Sequence, residues 1–227
     1  TLITLKYARQ TPKSSYMASL RMWEMGHQIF SKFSFRDIAK PYMNQLSDLT
    51  NETVHLSEID GFEVVYVEKI ESREPVRAYT QLGGRAPAYC TATGKIQMAH
   101  QSEAEIRRCF ESVHRFTPNT VTNVETFCKE AAESRARGYA VNRGEWRLDI
   151  VGLAAPIADS TGEVVAAIGV SAPASRLDAA EIERYAKNVT DCARDISQDL
   201  GCPRSFLENP QLKTGIGSAG KSQSAIL

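Results

Sequence analysis

Leu82-Gly-Gly-Arg-Ala-Pro-Ala-Tyr-Cys-Thr-Ala-Thr-Gly-Lys-Ile-Gln-Met-Ala99 is the stretch on which the reading of this chain turns. Gly83 and Gly84 free the backbone, and Pro87 stiffens the turn that follows. Thr91, Ala92, Thr93 and Gly94 then occupy the predicted first turn of a helix running through Ile96, Met98 and Ala99. The first N–H groups of a helix have no partner within it and lie at the positive end of its dipole. Side chains this small leave those donors open to a carboxylate or similar anion. Two readings stand side by side: the floor of a small-molecule pocket, or a tight turn with an ordinary Thr cap on a core helix. A Walker phosphate loop is excluded, because Tyr89 stands at its first Gly position and Ile96, not Ser or Thr, follows Lys95.

Composition bounds what surrounds this stretch. With 227 residues, 42% of them hydrophobic, the chain can bury one substantial core and a small extra element. Twenty-seven basic and 27 acidic residues cancel, so the strong positive field of a dedicated nucleic-acid binder is absent. Any DNA-contacting surface is therefore expected mostly outside this sequence. The five cysteines, 90, 109, 128, 192 and 202, are odd in number and lack Cys-x-x-Cys spacing. That pattern favours reduced thiols in a cytoplasmic protein over a disulfide framework. No apolar run has membrane-spanning length, and no signal peptide is visible. The chain opens at Thr1 without an initiator Met, which reads as a piece of a longer protein.

Residues 1–5 read as the last turns of a helix, and 7–16 as two short strands around Pro12-Lys-Ser-Ser15. Arg9 and Lys13 on that hairpin are either phosphate contacts or solvated charges. A helix is expected over 18–33, with Leu20, Met22, Trp23, Ile29 and Phe30 apolar on more than one side, as in a helix that joins two bodies or packs against a partner chain. A second is expected over 37–49, where Ile38, Tyr42, Leu46 and Leu49 recur and Pro41 belongs in the first turn. Strand patterning follows over 53–59 and 62–70, joined by a turn at Asp60-Gly61, and a third strand is expected over 76–80. Ser102 with Glu105, Thr122 with Glu125, and Asp178 with Glu181 each mark a helix start. The last of these helices lines up Ile182, Tyr185, Val189, Cys192 and Ile196 before Gly201 stops it. Between the helices, Ile150–Ile157 and Val164–Ser171 form an apolar hairpin around 159–162. Gly152 and Gly169 inside it mark close approach of either a ligand or a packed helix. Past Pro203 the chain reads as a disordered tail. This order of elements gives an α+β fold with a mainly antiparallel sheet flanked by helices.

Catalytic and metal-binding signatures are missing. His27, His55, His100 and His114 are scattered without a metal motif, and there is no Gly-x-Ser-x-Gly elbow. Neither a metal nor a cofactor is expected. Cys90, beside a helix N-terminus that lowers thiol pKa values, is the one candidate nucleophile, although no His is placed to assist it. Glu145 either orients a ligand or loop, or is solvated.

Taken together the motifs resemble one family. Gly83-x-x-Ala-Pro-x-Tyr-Cys-Thr-Ala-Thr-Gly-Lys95, Arg137-Gly-Tyr-Ala-Val-Asn-Arg-Gly-Glu145, Ala154-Ala-Pro-Ile157 and Val170-Ser-Ala-Pro173 follow the order and spacing of IclR-type transcriptional regulators. Tyr16–Gly26 looks like the segment where that family's winged helix-turn-helix passes into its linker helix. The match runs from Tyr7 to Gly201. The resemblance implies a GAF-like effector domain over 34–202, a linker helix over 17–33, a remnant of the DNA reader over 1–16, and a disordered tail over 203–227. It implies a non-enzymatic, cytoplasmic regulator, dimeric or tetrameric, that binds a small organic acid and modulates DNA binding. Arg9 and Lys13 would then be the DNA contacts present. The alternatives left open are a GAF-like enzyme using Cys90 and a purely structural oligomerisation domain.

Carried over by this resemblance, the effector contacts fall on Ala86, Ala92, Thr93, Asn142, Ile150, Gly152, Gly169 and Ser171. Members that bind small keto acids have an acidic residue at the place of Asn142, a Cys at Gly152 and a Ser at Gly169. The changes imply a wider, less acidic pocket for an anion larger than a two- or three-carbon acid, such as an aromatic or sugar-derived carboxylate.

Overall fold

A computed structural model of the chain describes residues 2–12, 15–22, 24–25 and 35–208. It divides into two compact units, Thr1–Pro41 and Tyr42–Leu227. In the first, β1 (Ala8–Gln10) and β2 (Tyr16–Ala18) pair antiparallel, with Ala8 opposite Ala18. Over 2–5 the expected helix end is instead a pair of hydrogen-bonded turns, in which Lys6 N–H donates to the Ile3 carbonyl and Tyr7 N–H to that of Leu2. Arg9 is exposed on β1, whereas Lys13 lies outside the described residues. Of the linker helix expected over 18–33, residues 20–22 and 24–25 are helical, and the rest lie outside the described residues.

Helix α1 (Phe35–Thr50) opens earlier than the sequence suggests, which puts Pro41 in its second turn rather than its first. Pro41 is exposed, and water can serve the carbonyl that its missing N–H leaves unpaired. In the second unit, the Tyr42 hydroxyl donates to Asp199 Oδ2 (2.6 Å) and the Tyr185 hydroxyl to the Thr50 carbonyl (3.0 Å).

The second unit is built on a six-stranded sheet. Its strands are β3 (Thr53–Asp60), β4 (Glu63–Ile70), β5 (Arg85–Pro87), β6 (Ala140–Arg143), β7 (Ile150–Ala158) and β8 (Val164–Pro173). Their spatial order is β5-β4-β3-β8-β7-β6, and every neighbouring pair is antiparallel. The two hairpins legible in the sequence, β3–β4 and β7–β8, are joined at the centre by pairing of β3 with β8. The first hairpin turns at Gly61-Phe62, one residue later than expected, because Asp60 still pairs with Glu63 and Gly61 takes the positive φ of 64°.

Helix α2 (Ala92–Ala99) is buried along its whole length and packs on β3, β6, β7 and β8. Helix α3 (Glu103–Cys109) starts with the expected Ser102/Glu105 capping box. Helix α4 (Val124–Arg137) is capped by Asn123, whose side chain accepts from Thr126 N–H, and not by Thr122. The Thr122 hydroxyl is engaged elsewhere, as acceptor for Arg115 (2.9 Å). Helix α5 (Ala179–Asp199) is capped by Asp178 as expected and packs along β7 and β8. The tail expected from 203 begins with a short helix, α6 (Arg204–Glu208), whose Phe206 is buried with Ala158 and Cys202. That apolar anchor is what composition hid; residues 209–227 lie outside the described residues.

The strand expected over 76–80 is irregular backbone. Side chains occupy its carbonyls: Arg176 donates to Val76 O, Thr53 Oγ1 to Ala78 O, and Lys69 Nζ to Thr80 O. The third strand of that sheet edge is β5, which pairs Ala86 with Val64.

Candidate functional site

The site is set by how α2 meets the sheet. Cross-strand register aligns Asn142, Gly152, Ser171 and Thr53 in one row over β6, β7, β8 and β3. Two residues along, and hence on the same face, Ala140, Ala154, Gly169 and His55 form a second row. The N-terminus of α2 rests on these rows at the two glycines. A Cβ at Gly152 would stand 3.0 Å from both Ser171 Oγ and the Val170 carbonyl, and 3.7 Å from Ala92 Cβ. One at Gly169 would stand 2.8 Å from the Leu153 carbonyl and 3.0 Å from Thr93 Cγ2. The glycines therefore admit the helix. At these two positions helix and strand atoms stand where an added Cβ would go.

Thr91 closes the helix start from within. Its Oγ1 accepts from Gly94 N–H (3.3 Å), and its carbonyl accepts from Lys95 N–H (2.8 Å). The amides of Ala92 and Thr93 have no acceptor among the described residues.

Beside them is a cavity of about 350 Å³, and six of the eight sequence-derived positions line it: Ala92, Thr93, Asn142, Ile150, Gly169 and Ser171. Gly152 lies under the contact just described, and Ala86 is buried in the β4–β5 edge; neither lines the cavity. The volume is at the lower end of the ~300–1,000 Å³ typical of small-molecule sites. The remaining wall includes residues the sequence did not single out for binding: His55 and Tyr66 from β3 and β4, Arg77–Thr80 from the irregular segment, and Trp146, Arg147 and Asp149 from the loop after β6.

Asn142 is oriented by its neighbours. Its Oδ1 accepts from Glu145 N–H (2.8 Å), which commits the oxygen and leaves Nδ2 as a donor. The turn is held further by the hydroxyls of Thr117, donating to Gly144 O (2.7 Å), and Thr120, donating to Glu145 O (2.6 Å). Glu145 itself is buried, and its carboxylate accepts twice from Lys95 Nζ of α2, at 2.8 and 2.9 Å. Glu130 Oε2 of α4 lies 2.8 Å from the same ammonium, outside hydrogen-bonding direction. Burial raises the Glu145 pKa, against the lowering influence of Lys95. The loop that carries Trp146, Arg147 and Asp149 into the cavity wall is thus tied to the helix that forms its floor.

The surroundings of Cys90 do not favour a reactive thiolate. The residue is fully buried, and burial followed by the Glu145 charge pushes its thiol well above the ordinary range. A helix N-terminus acts oppositely, but here desolvation wins and the thiol stays protonated. Among the described residues no His, Cys, Asp and Glu cluster could hold a metal ion, and no helix is long and apolar enough to cross a membrane.

Residues 27–198 match the family model for the bacterial transcriptional regulator IclR C-terminal domain. The HTH-type transcriptional regulator XynR of Escherichia coli K12 is 32% identical over 200 residues, covering 87% of this chain and 79% of the relative. The crystal structure of Thermotoga maritima IclR superposes with a TM-score of 0.70 at 32% identity, over 88% of this chain and 82% of that one. An IclR homologue from Microbacterium hydrocarbonoxydans, crystallised with 4-hydroxybenzoate, has the same fold, with a TM-score of 0.69 at 22% identity over 88% and 81% of the two chains. This chain belongs to the IclR family of bacterial DNA-binding transcriptional regulators, and residues 27–198 are its C-terminal domain.

Proposed function

We propose that the cavity beside Thr93 binds a small organic acid and that its occupancy modulates DNA binding by a cytoplasmic homodimer or homotetramer. The observation that carries this reading is the convergence of donors. Among the described residues the Ala92 and Thr93 amides have no acceptor, and Asn142, whose oxygen already accepts from Glu145 N–H, has its N–H groups left to donate. Donors without acceptors favour an anion, and the positive end of α2 adds to the preference. Ser171 Oγ and the apolar side chains of Ile150 and Leu153 border the remainder of the ligand. An aromatic or sugar-derived carboxylate suits this volume better than a two- or three-carbon acid. The protein acts as a sensor and not as an enzyme in this reading. Residues 1–16 belong to the DNA reader, with Arg9 and Lys13 at phosphate, and 17–33 link it to the effector domain over 34–202. Ligand binding shifts the arrangement of the readers through its different affinity for two quaternary states.

A thermal-shift screen of organic acids tests this. An acid held at about 100 times its Kd stabilises the folded state by about 2.7 kcal/mol, a rise of roughly 5–10 °C in Tm. Ala92→Phe, which fills the floor, is expected to keep its own folded-state CD spectrum and lose that rise. A variant that still responds normally would place the ligand elsewhere.

A further inference from the structure

His55 sits on the same sheet face as Asn142 but on the opposite side of the cavity. The strands β3 and β6 that carry them are three spacings apart, roughly 14 Å at ~4.8 Å each. The imidazole is 2% exposed, lines the cavity, and packs against the Tyr66 ring with centroids 5.2 Å apart. Its Nδ1 lies 3.2 Å from Thr80 Oγ1, and its Nε2 is buried with no hydrogen-bond partner among the described residues. A buried polar nitrogen left unpaired is a cost that a structure tolerates where something else supplies the partner.

We propose that His55 Nε2 is the distal specificity contact of the effector site, binding a hydroxyl group carried by the acid at the end remote from its carboxylate. This rests on the carboxylate reading above and extends it to a bifunctional ligand, a hydroxylated carboxylic acid. A hydroxyl both donates and accepts, so it satisfies Nε2 whichever tautomer the Thr80 contact selects. A second carboxylate would fit less well, because the ring stays neutral: burial, with Lys69 nearby, lowers its pKa to about 4. Thr80 Oγ1 and the Tyr66 hydroxyl beside it are uncharged, since burial raises the Tyr66 pKa; of the cations that also line the cavity, Arg77 is paired with Glu71 (3.2 Å) and Arg147 lies over the Trp146 ring.

Calorimetric titration of the 227-residue chain with two matched pairs, benzoate with 4-hydroxybenzoate and hexanoate with 6-hydroxyhexanoate, tests the inference. In at least one pair the hydroxylated acid is expected to bind about tenfold more tightly. His55→Phe keeps a ring against Tyr66; in this variant the advantage, read as the ratio of the two affinities within a pair, is expected to fall below twofold. Equal binding within both pairs, or an advantage that survives His55→Phe, overturns the role of His55 and leaves the carboxylate reading standing. Binding by none of the four overturns both. Imidazole ¹⁵N spectra of the unsubstituted chain need no folded variant. The His55 Nε2 resonance is expected to move with the hydroxylated member alone, and an unmoved resonance in the bound state contradicts the proposal.

Discussion

Gly94→Ala is expected to cost this domain roughly 3 kcal/mol or more, or to prevent folding altogether. The sign is opposite to what helix propensity gives, since Ala in place of Gly inside a helix ordinarily gains up to about 1 kcal/mol. The reason lies in three backbone atoms. A Cβ at residue 94 would stand 2.3 Å from the Ala88 carbonyl oxygen, 2.4 Å from its Cα and 2.7 Å from its carbonyl carbon. None of these can swing aside. Ala88 opens the 3₁₀ turn Ala88–Cys90 and donates its N–H to Phe62 O (2.9 Å), while Thr91 Oγ1 donates to Pro87 O (3.3 Å). Relieving the clash means lifting α2 off that turn, and with it the amides of Ala92 and Thr93. Urea denaturation followed by far-UV CD measures the effect; a fall in Tm of roughly 6–12 °C corresponds to the smallest loss expected. A variant within 1 kcal/mol of the parent would show that α2 does not approach the turn as closely as described.

Lys95→Met is the second large effect. It removes the ammonium facing the buried Glu145 carboxylate and the nearby Glu130. Stripping one partner from a buried pair typically costs about 3–5 kcal/mol, because the other charge is left uncompensated. The pH dependence follows from the direction of the Glu145 shift. Its folded-state pKa is already raised by burial, and loss of Lys95 removes an influence that lowers it. A carboxylate with a raised folded pKa favours the fold below its unfolded pKa, ~4.3, and that contribution is lost as pH rises through the folded value. The deficit of Lys95→Met is therefore expected to be smallest near pH 4 and to grow toward neutrality. Adding Glu145→Gln is expected to recover most of the loss at pH 7, because a neutral amide needs no counter-charge. Equal deficits at pH 4 and pH 7, or no recovery in the double variant, would mean that the pair is not the buried contact described. Since Glu145 anchors the loop bearing Trp146, Arg147 and Asp149, ligand affinity is expected to fall in Lys95→Met as well.

What the sequence made legible was local. Turn residues, alternation and capping boxes gave both central hairpins, α3 and α5, because those signals lie within a few residues of each other. Pairing of β3 with β8 was not readable, since more than a hundred residues separate Thr53 from Ser171. Val76-Arg-Ala-Tyr-Thr80 imitates a strand by composition, and only tertiary hydrogen bonds to its carbonyls reveal a cavity wall. Gly94 illustrates a correct emphasis with a different cause: its lack of a side chain serves close packing against Ala88, while the small residues that front the cavity are Thr91, Ala92 and Thr93. The Lys95–Glu145 pair spans 50 positions: the sequence offered Glu145 as orienting a ligand or loop or as solvated, and nothing local pointed to Lys95 as its partner. His55 was one histidine among four scattered ones. The available signal was its alternation with Thr53 and Ser57 on a strand, which places it on one face, and it becomes informative only once Gly169 is known to lie opposite.

The claim on which the rest depends is that a carboxylate seats at the start of α2. A crystal structure of the chain with the acid that raises its Tm most tests it directly. The expected result is carboxylate oxygens within hydrogen-bonding distance of the Ala92 and Thr93 amides and of Asn142 Nδ2. An acid bound elsewhere, with those amides facing only water or protein side chains, would contradict it.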